Sequence, residues 1–256
     1  MFELISQSRY ELQQQILLNT NGLAINTSNR FGNVDALGNI SQLNNVSHTN
    51  FGESVANGAL SAQPNLIVDH FGSGKNAIKF NGTSEYLIKT FTSFAPDWDQ
   101  EFYIGGTFKT TGSGPRVMTA IAEGAIALRG FRLQFDFDQK LLMAMVNQSA
   151  KNRLIRTNNS WADNQIHSYI FHNKGTDNVN DSNFYVDGNL ELSTKTTTGS
   201  FVGTSLYGGT LGVNLYFGAR QDINTNAMFN QYLGKHIYGL GTPNITAITN
   251  ALNSAS

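Results

Sequence analysis

The chain contains no cysteine among its 256 residues. Disulfide cross-links, thiolate metal sites and cysteine nucleophiles are thereby excluded, although the absence does not fix the compartment. Charge is scarce too: only 14% of residues are Asp, Glu, Lys or Arg, and 17 basic residues offset 18 acidic ones at a pI near 6.5. So balanced a chain generates no strong positive field, which excludes a phosphate backbone, and hence nucleic acid, as a partner. No apolar run approaches the length of a membrane span. Residues 1–19 lack the basic segment followed by an apolar core that marks a secretory leader, so the expectation is another route of export if the protein acts outside a cell.

What the chain has in quantity is turn chemistry and aromatic side chains: 25 Gly, many Asn, Ser and Thr, 17 Phe and 9 Tyr. Gly and Asn accept the backbone conformations of tight turns, whereas a helical chain needs more Ala, Glu and Lys. Short β-branched or aromatic runs recur at 77–80, 85–89, 101–108, 131–137, 141–146, 166–171, 183–186, 213–217 and 232–238. Within one of them Phe131, Leu133, Phe135 and Phe137 alternate with Arg132, Gln134, Asp136 and Asp138, the period of a strand with one buried face.

Such runs, separated by Gly and Asn turns, predict an all-β fold: a two-sheet antiparallel sandwich. Its inner faces are expected to include Phe80, Leu87, Phe135, Phe137, Phe171, Tyr185 and Phe217. One late helix is predicted, with Pro243 in its first turn and Ile245, Ile248 and Leu252 on one face. The length suits one domain over residues 23–256. Residues 1–22 are expected to be a separate segment whose Ile5, Leu12 and Ile16 could share one side of a helix: either an N-terminal helix or strand packed on the domain, or an assembly tether.

Several pieces occur in a telling order. Residues 59–68 (Ala-Leu-Ser-Ala-Gln-Pro-Asn-Leu-Ile-Val) precede 74–87 (Gly-Lys-Asn-Ala-Ile-Lys-Phe-Asn-Gly-Thr-Ser-Glu-Tyr-Leu). Trp161 and His167 follow, then Tyr185-Val186-Asp187-Gly188, then 215–219 and the terminal helix. Over residues 59–253 this resembles the concanavalin A-like domains of the laminin-G and pentraxin type, which implies a jelly-roll sandwich. Similar domains occur in phage virion proteins, in bacterial adhesins and as accessory modules of glycan-active enzymes.

The resemblance therefore implies a non-catalytic binding or structural module on a virion or extracellular surface: a capsid-decoration, tail or receptor-binding component. Its partners would be other virion proteins or a host-surface glycan, and homo-oligomerisation is compatible with this role. Fold alone does not assign activity. The alternative it leaves open is a glycoside hydrolase or lyase on the same fold.

Glucanases of this fold carry a Glu-x-Asp-x-Glu strand, and no such run exists here. The nearest substitute is Asp136 with Asp138, expected on one strand face about 7 Å apart, a spacing suited to inverting rather than retaining chemistry. The simpler reading of the pair is the solvent face of an amphipathic strand. His167 and His172, five apart, point to opposite faces of one strand and cannot chelate together, and no motif surrounds His48, His70 or His236.

Calcium is the one cofactor the sequence suggests. Asp222, Asn224 and Asn226 alternate as in the first half of an EF-hand loop, and would form a ligand or metal site. Ala227 then stands in place of the required Gly, and Leu233 in place of the bidentate Glu. Residues 177–181 (Asp-Asn-Val-Asn-Asp) are a second candidate of the same kind. The Gly-rich stretches 112–115 and 208–212 lack the Lys and the following helix of a phosphate loop and read as turns. Asp187-Gly188 reads as a tight hairpin, and Trp161 as a core or edge anchor in preference to a sugar platform.

Overall fold

The computed structural model describes residues 63–88, 97–112, 114–123, 129–147, 149–207, 213–219 and 228–254, together with the backbone of 22–25, 32–34, 40–43, 55–56 and 89–91. The expected N-terminal segment therefore lies outside the described residues up to position 21.

Two antiparallel sheets form. The first runs β15 (Asn189–Glu191), β14 (Ser182–Val186), β13 (Ile166–Lys174), β8 (Glu101–Lys109), β18 (Tyr232–Leu240), β6 (Ala77–Lys79), β5 (Asn65–Ile67), and β1 (Gly22–Ile25) also pairs with β18. The second runs β16 (Ser193–Thr197), β12 (Asn152–Thr157), β11 (Leu141–Val146), β10 (Gly130–Phe135), β9 (Arg116–Glu123), β17 (Val213–Phe217), β7 (Leu87–Phe91), β4 (Val55–Ala56), β3 (Ile40–Leu43), β2 (Gly32–Val34). The chain passes repeatedly from one sheet to the other, at β7 to β8, β8 to β9, β12 to β13, β15 to β16 and β17 to β18 among others, as in a jelly roll.

Alternation decides what lies between the layers. Phe102, Ile104 and Phe108 of β8 meet Phe131, Leu133 and Phe135 of β10 in one core that also holds Tyr169, Phe171, Phe184 and Phe217. Phe102 stacks on Phe131 at 5.4 Å, and Phe108 meets Phe135 edge-on at 5.1 Å. Such offset and edge-to-face pairs add to the burial of apolar area. Gly106 is required here: a Cβ at that position would meet the His236 ring at 2.9 Å.

The central strands of the first sheet are buried on both faces. The reason is α1 (Ile245–Leu252), whose Ile248, Ala251 and Leu252 cover Tyr103, Ile170 and Ile237 on the outer face. Asn244 caps its start by accepting the Ala247 N–H at 3.0 Å, so Pro243 stands before the cap rather than in the first turn as expected. Lys235 closes the other end: its Nζ donates to Ala251 O, Ser254 O and Ser254 Oγ at 3.1, 3.1 and 2.6 Å, a cation on the negative pole of the helix. Burial and the nearby Lys75 pull Lys235 down to about 7.

Two expected core residues are elsewhere. Tyr185 faces outward, where it packs beside α1, because Phe184 and Val186 occupy the inward positions of β14. Phe137 is 79% exposed, because β10 ends at Phe135 and the chain turns before the alternation continues.

Candidate rim site

β10 ends, β11 begins, β12 ends and β13 begins at one end of the sandwich, so residues 136–140 and 158–165 are neighbours there. The 136–140 turn is closed by its own first residue. Asp136 Oδ1 accepts the N–H groups of Asp138 and Lys140, both at 2.9 Å, and the Asp136 N–H donates to Lys140 O at 3.0 Å. Gln139 adopts φ +63°. Asp136 and Asp138 are thus turn residues, not members of a strand face as expected, because a side-chain acceptor for two backbone donors competes with the ladder. Phe137 is held at the apex with its ring in solvent.

Arg156, outward on β12, reaches over from the neighbouring strand. Its Nε donates to Asp136 Oδ2 and its Nη2 to Asp138 Oδ2. These two bonds hold the guanidinium above its ordinary value and fix the turn against the sheet.

The 158–165 loop closes on the turn from the other side. The Trp161 N–H donates to Gln139 O at 3.0 Å, and the Asn164 N–H to Thr110 O at 2.9 Å. Trp161 is half-buried, packed on the core with its ring edge-to-face with His167 at 5.0 Å; its Nε1 has no hydrogen-bond partner among the described residues. The ring is an edge anchor, as the sequence suggested, and it backs the rim.

His167 ties this loop to the β14–β15 hairpin. Its Nδ1 is 2.7 Å from Asp187 Oδ2 and its Nε2 is 3.1 Å from Asp163 Oδ1. Burial works against a charged ring, yet the two carboxylates hold His167 above its ordinary value. Asp187 also accepts the Ser168 N–H at 2.8 Å, and the hairpin is the expected tight turn, with φ of 51° at Asp187 and 81° at Gly188. Both ring nitrogens of His167 are committed to carboxylates, so no Ser-His pair forms. His172 faces the opposite side of the strand, bonded to Glu101 at 2.9 Å.

The expected calcium residues Asp222, Asn224 and Asn226 lie outside the described residues. In the second candidate loop the oxygens serve the protein itself. Asp177 accepts from Arg153, Ser200 and the Phe201 N–H, Asn178 caps the 3-10 turn (Val179–Asp181), and Asp181 accepts the Thr176 hydroxyl. Among the described residues no three His, Asp or Glu side chains group as metal ligands.

No family model matches the chain, and no curated protein matches it. Solved structures do. The binding domain of botulinum neurotoxin serotype D/C aligns with a TM-score of 0.56 at 12% identity, over 94% of this chain and 53% of that one. The serotype D binding domain gives 0.52 at 11%, over 93% and 51%. Trypanosoma rangeli sialidase in complex with 2,3-difluorosialic acid gives 0.52 at 13%, over 96% and 38%. The chain spans about half or less of the length of these structures. At such identities the likeness concerns the fold alone: a jelly-roll β-sandwich.

Proposed function

We propose that the chain is a non-catalytic glycan-binding module whose ligand meets the rim at residues 136–140 and 158–165. The observation that carries this is Phe137, 79% exposed on a turn that the protein locks with hydrogen bonds from Asp136 to the Asp138 and Lys140 N–H groups and from Arg156 to both aspartates. An aromatic ring carried in water on a locked backbone offers stacking area and leaves only its own side chain to be ordered on binding. Around it Arg156, Asp138, Gln139 and Ser160 supply the directional donors and acceptors that orient a polyhydroxylated ligand. The folds with which the chain aligns include toxin binding domains and a sialidase, and this supports a saccharide ligand.

Hydrolysis fits the site poorly. Glycoside cleavage needs one carboxyl free to protonate the leaving oxygen and a second facing the anomeric carbon, whereas both aspartates here grip one guanidinium. We further propose display on a virion or another extracellular surface, where a sparsely charged, Asn- and Ser-rich exterior limits nonspecific capture; labelling of purified particles with an antibody to the chain tests that setting.

The function is tested by titrating a saccharide panel against native protein and Phe137→Ala. Binding to the native protein, weakened about tenfold or more in the variant with an unchanged melting temperature, is the expected result. Equal binding by the variant would move the site, and shortened saccharide products would replace binding with catalysis.

A further inference from the structure

We infer that the outer face of the first sheet, at the same end as the rim, carries an oxyanion site formed by His70, Lys79 and Lys109 around Tyr232, and that its ligand is an acidic saccharide. The register places Tyr232 directly between the lysines, paired with Lys79 on β6 and with Lys109 on β8. Ile78, Leu233 and Phe108, one position away on each strand, belong to the core, so alternation turns all three side chains outward. With strands spaced as in any sheet, the lysine Cα atoms stand on the order of 10 Å apart across the tyrosine. Two flexible ammonium stems on either side of that gap can close on one carboxylate or sulfate. His70, from the loop after β5, lies flat on Tyr232 with ring centroids 3.7 Å apart and planes 23° apart.

Neither Lys79 nor Lys109 forms an ion pair or side-chain hydrogen bond among the described residues. His70 feels them: burial, then the fields of Lys109 and Lys79, hold it below its ordinary value. The acidic groups nearby do not fill the role. Asp69 is turned into its own loop, where Oδ1 accepts the Gly74 N–H at 2.7 Å, and Glu85 lies in the field of Lys79 without reaching ion-pair distance. On a chain whose formal balance is −1, a local excess of cations beside a stacked aromatic pair is a receptor for an anion carried on a ring.

The saccharide half of this assignment rests on the glycan-binding reading above, and the oxyanion half does not. The test uses the full chain and its Lys79→Gln/Lys109→Gln variant, with inorganic sulfate, lactose, sialyllactose and sulfated lactose as probes. Followed by NMR, sulfate should raise the His70 titration midpoint in the native protein and not in the variant. In calorimetry the variant should lose about tenfold or more in affinity for the acidic saccharides, the loss of charge-assisted bonds, while its affinity for lactose is kept. Sialyl and sulfated probes separate carboxylate from sulfate as the preferred group. A His70 midpoint unmoved by sulfate, or moved equally in both proteins, overturns the site. A sulfate response without any saccharide binding keeps the oxyanion site and overturns the glycan reading. Lactose bound as tightly as its acidic derivatives overturns the acidic preference.

Discussion

Two arginines three positions apart on β12 have opposite surroundings. Arg153 points inward at the end of the sandwich formed by residues 97–100, 175–181 and 199–207, with 1% of its side chain exposed. Its guanidinium donates to Thr176 O, Asp177 O and Asp177 Oδ1 at 3.0, 2.9 and 3.1 Å, and lies 4.8 Å from the Phe201 ring and 5.8 Å from Trp98. Arg156 points outward at the opposite end, where it grips Asp136 and Asp138 beside an uncovered Phe137. Arginine, aspartate and an aromatic ring make up both sites. Where they are buried, every face of the ring is used for packing and the cluster is a strut between loops. Where they are exposed, the polar atoms hold the turn and leave the ring for something else.

The sharpest way to break this comparison is to remove each group and measure stability. Phe135→Ala, in the middle of the core at 1% exposure, should cost about 3–5 kcal/mol in urea denaturation. Arg153→Ala should cost about 3 kcal/mol, the low end for a broken buried pair because Asp177 keeps contact with water. A loss under about 1 kcal/mol at Arg153 would demote it to a surface contact.

Histidines repeat the contrast in pH. His236 sits between the sheets, bonded to Tyr169 at 3.0 Å, and burial lowers it to about 4. The unfolded chain takes up a proton before the folded one does, so stability should fall as pH drops from about 6.5 to 4, by about 3 kcal/mol in total. His167 at the rim is shifted upward. Its contribution is fully present below its unfolded value and is lost as pH rises through the folded one. His236→Phe should flatten the acid side of the stability profile and His167→Gln the alkaline side. Both variants flattening the same side would contradict the assignment.

Smaller effects are expected at the rim itself. Arg156→Ala should change stability by no more than about 1 kcal/mol, as exposed pairs do, while loosening the turn enough to weaken saccharide binding. Phe137→Ala should leave stability within about 0.5 kcal/mol, since its ring buries little. A large loss of stability in either would mean that the rim is a strut too.

Much of the fold was legible because alternation and turn chemistry agree: β8, β10, β13, β14, β17, β18 and α1 all correspond to runs visible in the sequence. β9 and β12 are less so, since Thr119, Ala120, Ala122, Arg153 and Arg156 lack the branched or aromatic signature of strands. Phe137 shows how the signal misleads. The period of two continues past Phe135, but Asp136 can bond two backbone N–H groups and ends the strand. The rim was half legible: Asp136, Asp138, Trp161 and the Asp187-Gly188 turn stand out, whereas Arg156 joins them only through the β11–β12 register. The Lys79, Tyr232 and Lys109 row was invisible, because it comes from three strands distant in sequence that only the sheet brings side by side.

The chain has two tryptophans, and they mark the two ends. Trp98 Nε1 donates to Thr204 O at 2.6 Å beside Arg153, and Trp161 backs the rim. Their two indole N–H resonances in a 15N-labelled sample therefore report on each end separately during a saccharide titration. The account predicts that the Trp161 signal shifts saturably while the Trp98 signal stays in place and the saccharide remains intact. A shift at Trp98 alone, or cleavage of the saccharide during the titration, would contradict it.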